Sequence, residues 1–235
     1  MRTIFEKMTV AALVISAAFG AQSCTDNDDA SYDRLIPNAL VTVKPEGDSF
    51  YIQLDDSTII RPTNAEKFNF DEETRAFANF DFPKQPWGSE LEIEAFWITP
   101  TLTKQPVETL GSSEADKEKY GEDPVELVRM WTVCEDGYLS LQFRTYWSRY
   151  GNIKHAVNLV TGVDPDDPYT VEFRHDACGD YPEVVSDGYV SFRLNSLPDT
   201  KGETVKLKVK YRSETGEKTV EFDYKTRPGD EDITE

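Results

Sequence analysis

The chain has 235 residues, with 44 Asp and Glu against 25 Lys and Arg, a formal net charge of −19 at pH 7. So acidic a balance argues against a phosphate-tracking partner, because nucleic-acid binders need basic surface, and it keeps an exposed protein soluble. The length allows one large or two small domains with cores of their own.

Arg2 and Lys7 open the chain, an apolar run follows from Met8 to Phe19, and Ala21-Gln22-Ser23 leads to Cys24. The apolar run is too short for a stable bilayer-spanning helix and reads as a secretory signal over residues 1–23. A cysteine directly after small residues reads as a lipobox, with Cys24 the lipidated first residue of the mature protein, although Ala21 stands where leucine is more usual. Lipid at Cys24 is then the membrane anchor. Thr25-Asp26-Asn27-Asp28-Asp29 begins an acidic tether, residues 24–37, that has too little apolar surface to fold. It reads either as a plain spacer or, by resemblance to acidic export tags of some Gram-negative lineages, as a signal for the cell-surface face of the outer membrane. The alternative address faces the periplasm.

Residues 38–105 read as five strands. They are Ala39–Lys44, Phe50–Asp55, Thr58–Arg61, Arg75–Phe82 and Glu90–Thr99, with period-two alternation and turns at Pro45-Glu46-Gly47-Asp48 and Pro83–Gly88. Leu91, Ile93, Ala95 and Trp97 fall on one face, and Glu90, Glu92 and Glu94 on the other. Five short strands in this span predict an OB-type barrel. Residues 106–124 are polar and read as a linker with a helical turn over Ser112–Lys119.

Residues 125–227 contain seven further runs: Glu126–Val133, Tyr138–Trp147, Ile153–Val160, Tyr169–His175, Tyr189–Asn195, Val205–Arg212 and Lys218–Tyr224. They predict an all-β, two-domain protein whose second half is a β-sandwich, closed by an acidic tail over 228–235. Pairing the last two runs outward from Ser213-Glu214-Thr215-Gly216 sets Lys208 opposite Glu221, Lys206 opposite Asp223 and Arg212 opposite Glu217. The same register sets Leu207 opposite Phe222 and Val209 opposite Val220. The basic stripe is thereby neutralised.

Two body cysteines remain, Cys134 and Cys178. Outside the cytoplasm they can form a disulfide, or stay as two free thiols. A metal site from His175, Cys178 and Cys134 lacks a second paired motif and a fourth ligand, so no metal or cofactor is expected. The acidic loop Asp164–Pro168 lacks calcium-loop spacing and reads as a solvated turn. No nucleophile elbow, H-E-x-x-H or phosphate-binding glycine loop occurs, and nothing argues for an enzyme. His155 and His175 share strand faces with apolar residues, which predicts hydrogen-bonded rim or core positions. Tyr146, Trp147, Arg149 and Tyr150 cluster at one turn and are candidates for a binding face, or for capping the sandwich edge.

The run Gly47-Asp48-Ser49-Phe50-Tyr51-Ile52-Gln53-Leu54 resembles the N-terminal segment of the NigD-like lipoproteins. The resemblance continues at Met130-Trp131, Tyr138–Phe143, His155-Ala156-Val157-Asn158-Leu159-Val160, Phe173-Arg174-His175-Asp176-Ala177, Gly179-Asp180 and Val190–Leu194. It implies an N-terminal OB domain and a C-terminal β-sandwich on an envelope lipoprotein. The family name comes from a bacteriocin-associated operon, which suggests an immunity role. No catalytic residue carries over, and His155, Asn158, Arg174 and His175 stand as either a polar core network or a site. The expected function is non-catalytic binding of a protein partner in bacteriocin immunity or envelope defence, with a surface glycan or small-ligand module as the alternative.

Overall fold

The computed structural model describes residues 37–83, 88–150 and 153–229. The signal peptide, Cys24, most of the tether and residues 230–235 of the tail lie outside the described residues. The chain is mostly β, in two units with separate hydrophobic cores.

The N-terminal unit is one six-stranded sheet of β1 (Ala39–Glu46), β2 (Ser49–Gln53), β3 (Ile59–Pro62), β4 (Thr74–Phe80), β5 (Glu90–Ile93) and β6 (Ala95–Pro100), in the order β5-β3-β2-β1-β4-β6. The run read as one strand over Glu90–Thr99 is two, broken at Glu94. β5 pairs parallel with β3 at one edge, and β6 pairs antiparallel with β4 at the other. The sheet is thus open in its hydrogen bonding, with one bent segment supplying both edges. The expected alternation holds inside it: Leu91, Ile93 and Ala95 are buried with Val41, Val43, Ile52 and Ile60.

The second unit packs two sheets. One has the order β7-β13-β10-β9, from β7 (Thr103–Lys104), β13 (Val184–Arg193), β10 (Tyr138–Trp147) and β9 (Glu126–Glu135). The other has the order β15-β14-β12-β11-β8, from β15 (Gly216–Tyr224), β14 (Val205–Ser213), β12 (Thr170–Asp176), β11 (Ala156–Thr161) and β8 (Val107–Glu108). Leu139, Leu141, Phe143, Leu159, Phe173, Phe192 and Leu207 meet between them. The β14–β15 register matches the expected one at all five positions, down to Lys208 opposite Glu221. The Lys208 ammonium nevertheless reaches Asp167, 2.9 Å away, and the Arg212 guanidinium reaches Glu122.

The expected linker is instead part of the sandwich. β8 pairs with β11, and the helix α1 (Ser113–Tyr120), capped by Ser112 accepting from Ala115 N–H, lies against β12; β7, at the end of the span expected for the barrel, pairs with β13 in the sandwich as well. Two-residue strands carry no periodicity, and α1 is polar on the side it buries, so composition alone reads as a linker. Arg174 sits beneath α1, donating to the Gly121 carbonyl and the Ser113 hydroxyl and pairing with Glu172 at 2.8 Å. Gly121 has φ +87, and a Cβ there would fall 2.5 Å from the His175 carbonyl oxygen, so the helix must end on glycine.

Polar contacts between buried and half-buried groups lock the two units together. Arg75 on β4, 1% exposed, donates to Thr42 and Ser140 and pairs with Glu135. Glu73 accepts the Tyr138 hydroxyl at 2.6 Å and pairs with Arg227 at 2.9 Å and Arg193 at 3.4 Å. Burial works against the Glu73 charge, but the Tyr138 and Arg227 bonds outweigh it and hold the carboxyl below its usual range. The guanidiniums of Arg193, Arg75 and Arg227 lie 5.3, 5.8 and 5.9 Å from the Tyr138 ring centroid. Phe77 packs edge-on against Trp131 and Tyr189. Glu73→Ala removes the carboxylate shared by Arg193, Arg227 and the Tyr138 hydroxyl and is expected to cost about 1–3 kcal/mol. Denaturant unfolding followed by near-UV circular dichroism should then change from one transition to two, the N-terminal unit melting first.

Candidate functional site

The far end of β10 brings the expected histidines together. β11 and β12 pair with Val157 opposite His175 and Asn158 opposite Arg174. Strand alternation therefore splits the four polar positions between the two faces of one sheet. Arg174 lies outward under α1, and Asn158 accepts from Lys104 Nζ at 2.9 Å. His175 lies inward, and His155, just before β11, meets it there. His155 Nδ1 stands 2.9 Å from His175 Nε2, and His155 Nε2 stands 3.1 Å from Asp180 Oδ2. His175 Nδ1 faces the Asp123 carbonyl at 3.3 Å. The indole of Trp147 stacks on His155, with centroids 3.8 Å apart and planes 10° from parallel. Its Nε1–H donates to the Ser186 carbonyl at 3.1 Å.

This network is shielded from solvent. The side chains of His155 and Asp180 are 1% and 2% exposed. Desolvation, followed by the charge of neighbouring His155, pushes the His175 imidazole below its ordinary value. The Ser148 backbone N–H pulls Asp180 down to about 2, with further donation from His155 and the Tyr181 N–H and opposition from desolvation. Neither histidine can touch a substrate where it stands, so the arrangement is a buried polar strut. It ties the loop after β10 to the loop before β13 through Ser148 N–H donating to Asp180 at 2.8 Å. Arg149 N–H donating to Glu183 makes a second tie.

The expected aromatic cluster divides. Trp147 is turned inward and engaged, whereas Tyr146, Arg149 and Tyr150 are exposed. Sequence reasoning missed their neighbours. Among the described residues, six of the ten exposed large hydrophobic side chains belong to this end: Tyr146, Tyr150, Ile153, Tyr181, Val185 and Tyr189. Tyr146 pairs with Val185 across β10 and β13, and Arg144 forms an ion pair with Asp187 on the same face at 2.6 Å. Arg144, Val185, Ser186, Asp187 and Tyr189 line a shallow depression of about 500 Å³. β7 pairs with β13 at Ser191 and Phe192 alone, so Val184–Tyr189 is a free sheet edge among the described residues. The sequence placed the start of this strand at Tyr189 because Ser186-Asp187-Gly188 has turn composition. Gly188 is instead a strand position where a Cβ would fall 2.4 Å from the Phe143 ring.

The Cys134–Cys178 bridge is not formed; both thiols are free. Cys134 pairs with Leu139 at the inter-unit end of β10, while Cys178 sits in the loop that reaches Ser148 past the other end. Roughly 25 Å of strand separates the two ends, far beyond the distance a disulfide tolerates. Burial, then the Glu135 charge, pushes the Cys134 thiol up to about 12, which makes it inert. Cys134 lines a cleft of about 770 Å³ between the two units, together with Lys44, Glu73, Asp136 and Arg227. Among the described residues no three His, Cys, Asp or Glu side chains converge as metal ligands. The Asp164–Pro168 loop spends Asp167 on Thr170 and Lys208.

Comparison with family models matches residues 40–100 to the NigD-like N-terminal OB domain and residues 106–224 to the NigD-like C-terminal beta sandwich domain. The chain belongs to the NigD-like family. A solved structure from Parabacteroides distasonis, described as toxin related, is 36% identical, with 80% of this chain and 92% of that one covered and a TM-score of 0.67. A NigD-like immunity protein from Bacteroides caccae shares the fold at 20% identity, with 79% and 95% covered and a TM-score of 0.58. A Bacteroides fragilis protein described as a lipoprotein does so at 12% identity, with 80% and 97% covered and a TM-score of 0.52. No curated protein matches. The second family match begins at residue 106, in agreement with the placement of β8 and α1 inside the sandwich.

The buried network sets a pH dependence. His175 is held below the ordinary histidine value of about 6.5, so the unfolded chain takes up its proton first. Its contribution to stability is full above that value and is lost as the pH falls towards the folded value. Asp180, depressed to about 2, contributes stability that is lost between the ordinary Asp value of 3.8 and about 2. The melting temperature should therefore fall in two stages on acidification, and His175→Gln should remove the first stage, as thermal scans at stepped pH would show.

Proposed function

We propose that this NigD-like chain is a non-catalytic envelope lipoprotein, anchored through lipid at Cys24, that binds a protein partner in bacteriocin immunity or envelope defence. The observation that carries the reading is the tyrosine-rich end of the sandwich. Tyrosines that combine apolar rings with polar hydroxyls, beside an arginine–aspartate pair and an unpaired strand edge, have the composition of a protein-contact surface. Among the described residues, the histidine network beneath it is consumed by internal bonds, so neither histidine is exposed to serve as an acid or base. A toxin-related relative at 36% identity and a NigD-like immunity protein of the same fold support the immunity assignment. The acidic tether after Cys24 supports display on the outer surface of the outer membrane. The glycan reading is the weaker one, because Trp147, the broadest ring of the expected aromatic strip, is turned into the protein.

The test challenges host cells lacking this protein with culture supernatants of related strains that release protein toxins. Deletion should sensitise the cells to at least one supernatant, and the wild-type gene should restore growth. Tyr146→Ser combined with Val185→Ser should not restore it, since exposed substitutions leave folding stability within about 0.5 kcal/mol. Cys24→Ala should also fail and should move the protein out of the membrane fraction. Equal growth with and without the protein under every supernatant, or full rescue by the surface variant, contradicts the reading.

A further inference from the structure

The two histidine rings form a chain between two hydrogen-bond acceptors. Asp180 lies at one end, receiving the N–H groups of Ser148 and Tyr181 as an ionised carboxylate does. The Asp123 carbonyl, which can only accept, lies at the other. Three contacts join the members of this chain, from Asp180 to His155, from His155 to His175, and from His175 to Asp123. Each contact needs one proton between its two atoms. Two neutral imidazoles carry one N–H each, so a neutral pair leaves one contact with two lone pairs facing across it. One more proton satisfies all three.

The surroundings favour that extra charge. The Trp147 ring stacked on His155 presents a π face to it, and the Asp180 carboxylate neutralises it. From the other packed elements, Asp123 and Asp176 bring carboxylates near His175, and β10 contributes the uncharged rings of Phe143 and Trp147. The flanking Arg149 and Lys154 are exposed to solvent. A second proton on the pair would set two cations 2.9 Å apart, consistent with the depressed His175.

We propose that the His155–His175 pair holds one excess proton, charge-balanced by Asp180, and that this proton fixes the loops bearing Tyr150 and Tyr181 for partner binding. The inference rests on the partner-binding reading for its purpose, but not for its measurement. Losing the proton removes one of the three contacts, and the loop tie through Ser148 N–H and Asp180 loosens with it. The surface would therefore be set in neutral or mildly acidic surroundings and released in alkaline ones.

The experiment records ring nitrogen and backbone amide NMR spectra of the mature protein from about pH 5 to about pH 9, the span in which histidines titrate. Near neutral pH the pair should show three ring N–H signals in slow solvent exchange. One should disappear as the pH rises, with the Ser148 amide shift following at the same midpoint. Asp180→Asn keeps an acceptor for Ser148 but removes the counter-charge, and should lower that midpoint by about one pH unit or more. If that variant fails to fold, His175→Gln serves instead and should abolish the coupled Ser148 titration. Two ring N–H signals throughout, or a Ser148 amide that ignores the transition, overturns the proposal. Tyr146→Ser with Val185→Ser should leave this titration untouched. An intact titration alongside full toxin protection by that variant would remove the partner reading alone, and lost protection with only two ring protons would remove the proton inference alone.

Discussion

The Glu73 carboxylate, gripped by Tyr138, Arg193 and Arg227, is the interaction on which the layout of this molecule depends. It brings the near end of β10 against the N-terminal unit, where Arg75 lies buried between Thr42, Ser140 and Glu135. One half of the outer face of the β10–β13 sheet is thereby covered, and Ser140 and Ser191 bond to each other in the seam. The other half, towards Tyr146 and Val185, is left to solvent, with Tyr189 at the border against Phe77. A single strand thus divides its two ends between holding the molecule together and presenting a surface.

Strand alternation then assigns the roles along β10. Leu139, Leu141 and Phe143 point inward and build the core, while Gln142, Arg144 and Tyr146 point outward. Trp147, at the end of the strand, belongs to the inner set and closes the core by stacking on His155. The buried histidines are therefore neighbours of the surface without being part of it. Their burial is costly unless every ring nitrogen is bonded, and the network of Asp180, His155, His175 and Asp123 meets that requirement when the pair carries one extra proton.

Much of this was legible in the residues. The β14–β15 register could be written from Lys206 to Asp223 because charge and apolar alternation agreed across one short turn. His155, Val157 and Leu159 turn inward as the same period predicts, but Ile153, read on that face with them, precedes β11 and is exposed. What stayed hidden has a physical reason in each case. β7 and β8 are two residues long, and parallel pairing of so short a segment leaves no pattern. Ser186-Asp187-Gly188 has turn composition, yet Gly188 is in the strand to clear Phe143, and Asp187 is there to meet Arg144. Cys134 and Cys178 looked like a pair because spacing along a chain carries no information on which end of a sandwich each residue occupies. Asp180 stood inside a family motif, but its contact with His155 is made across 25 positions and needs the fold to appear.

The tyrosine-rich end is the surface proposed to meet a protein partner at the cell envelope. A photo-crosslinking amino acid placed at Tyr146 and, separately, at exposed Leu110 beside α1 tests this in cells challenged with a toxin-containing supernatant against which the protein protects. Position 146 should give a discrete, protease-sensitive adduct that is absent from position 110. Adducts of equal yield at both positions, or none at 146 while the cells remain protected, would contradict it.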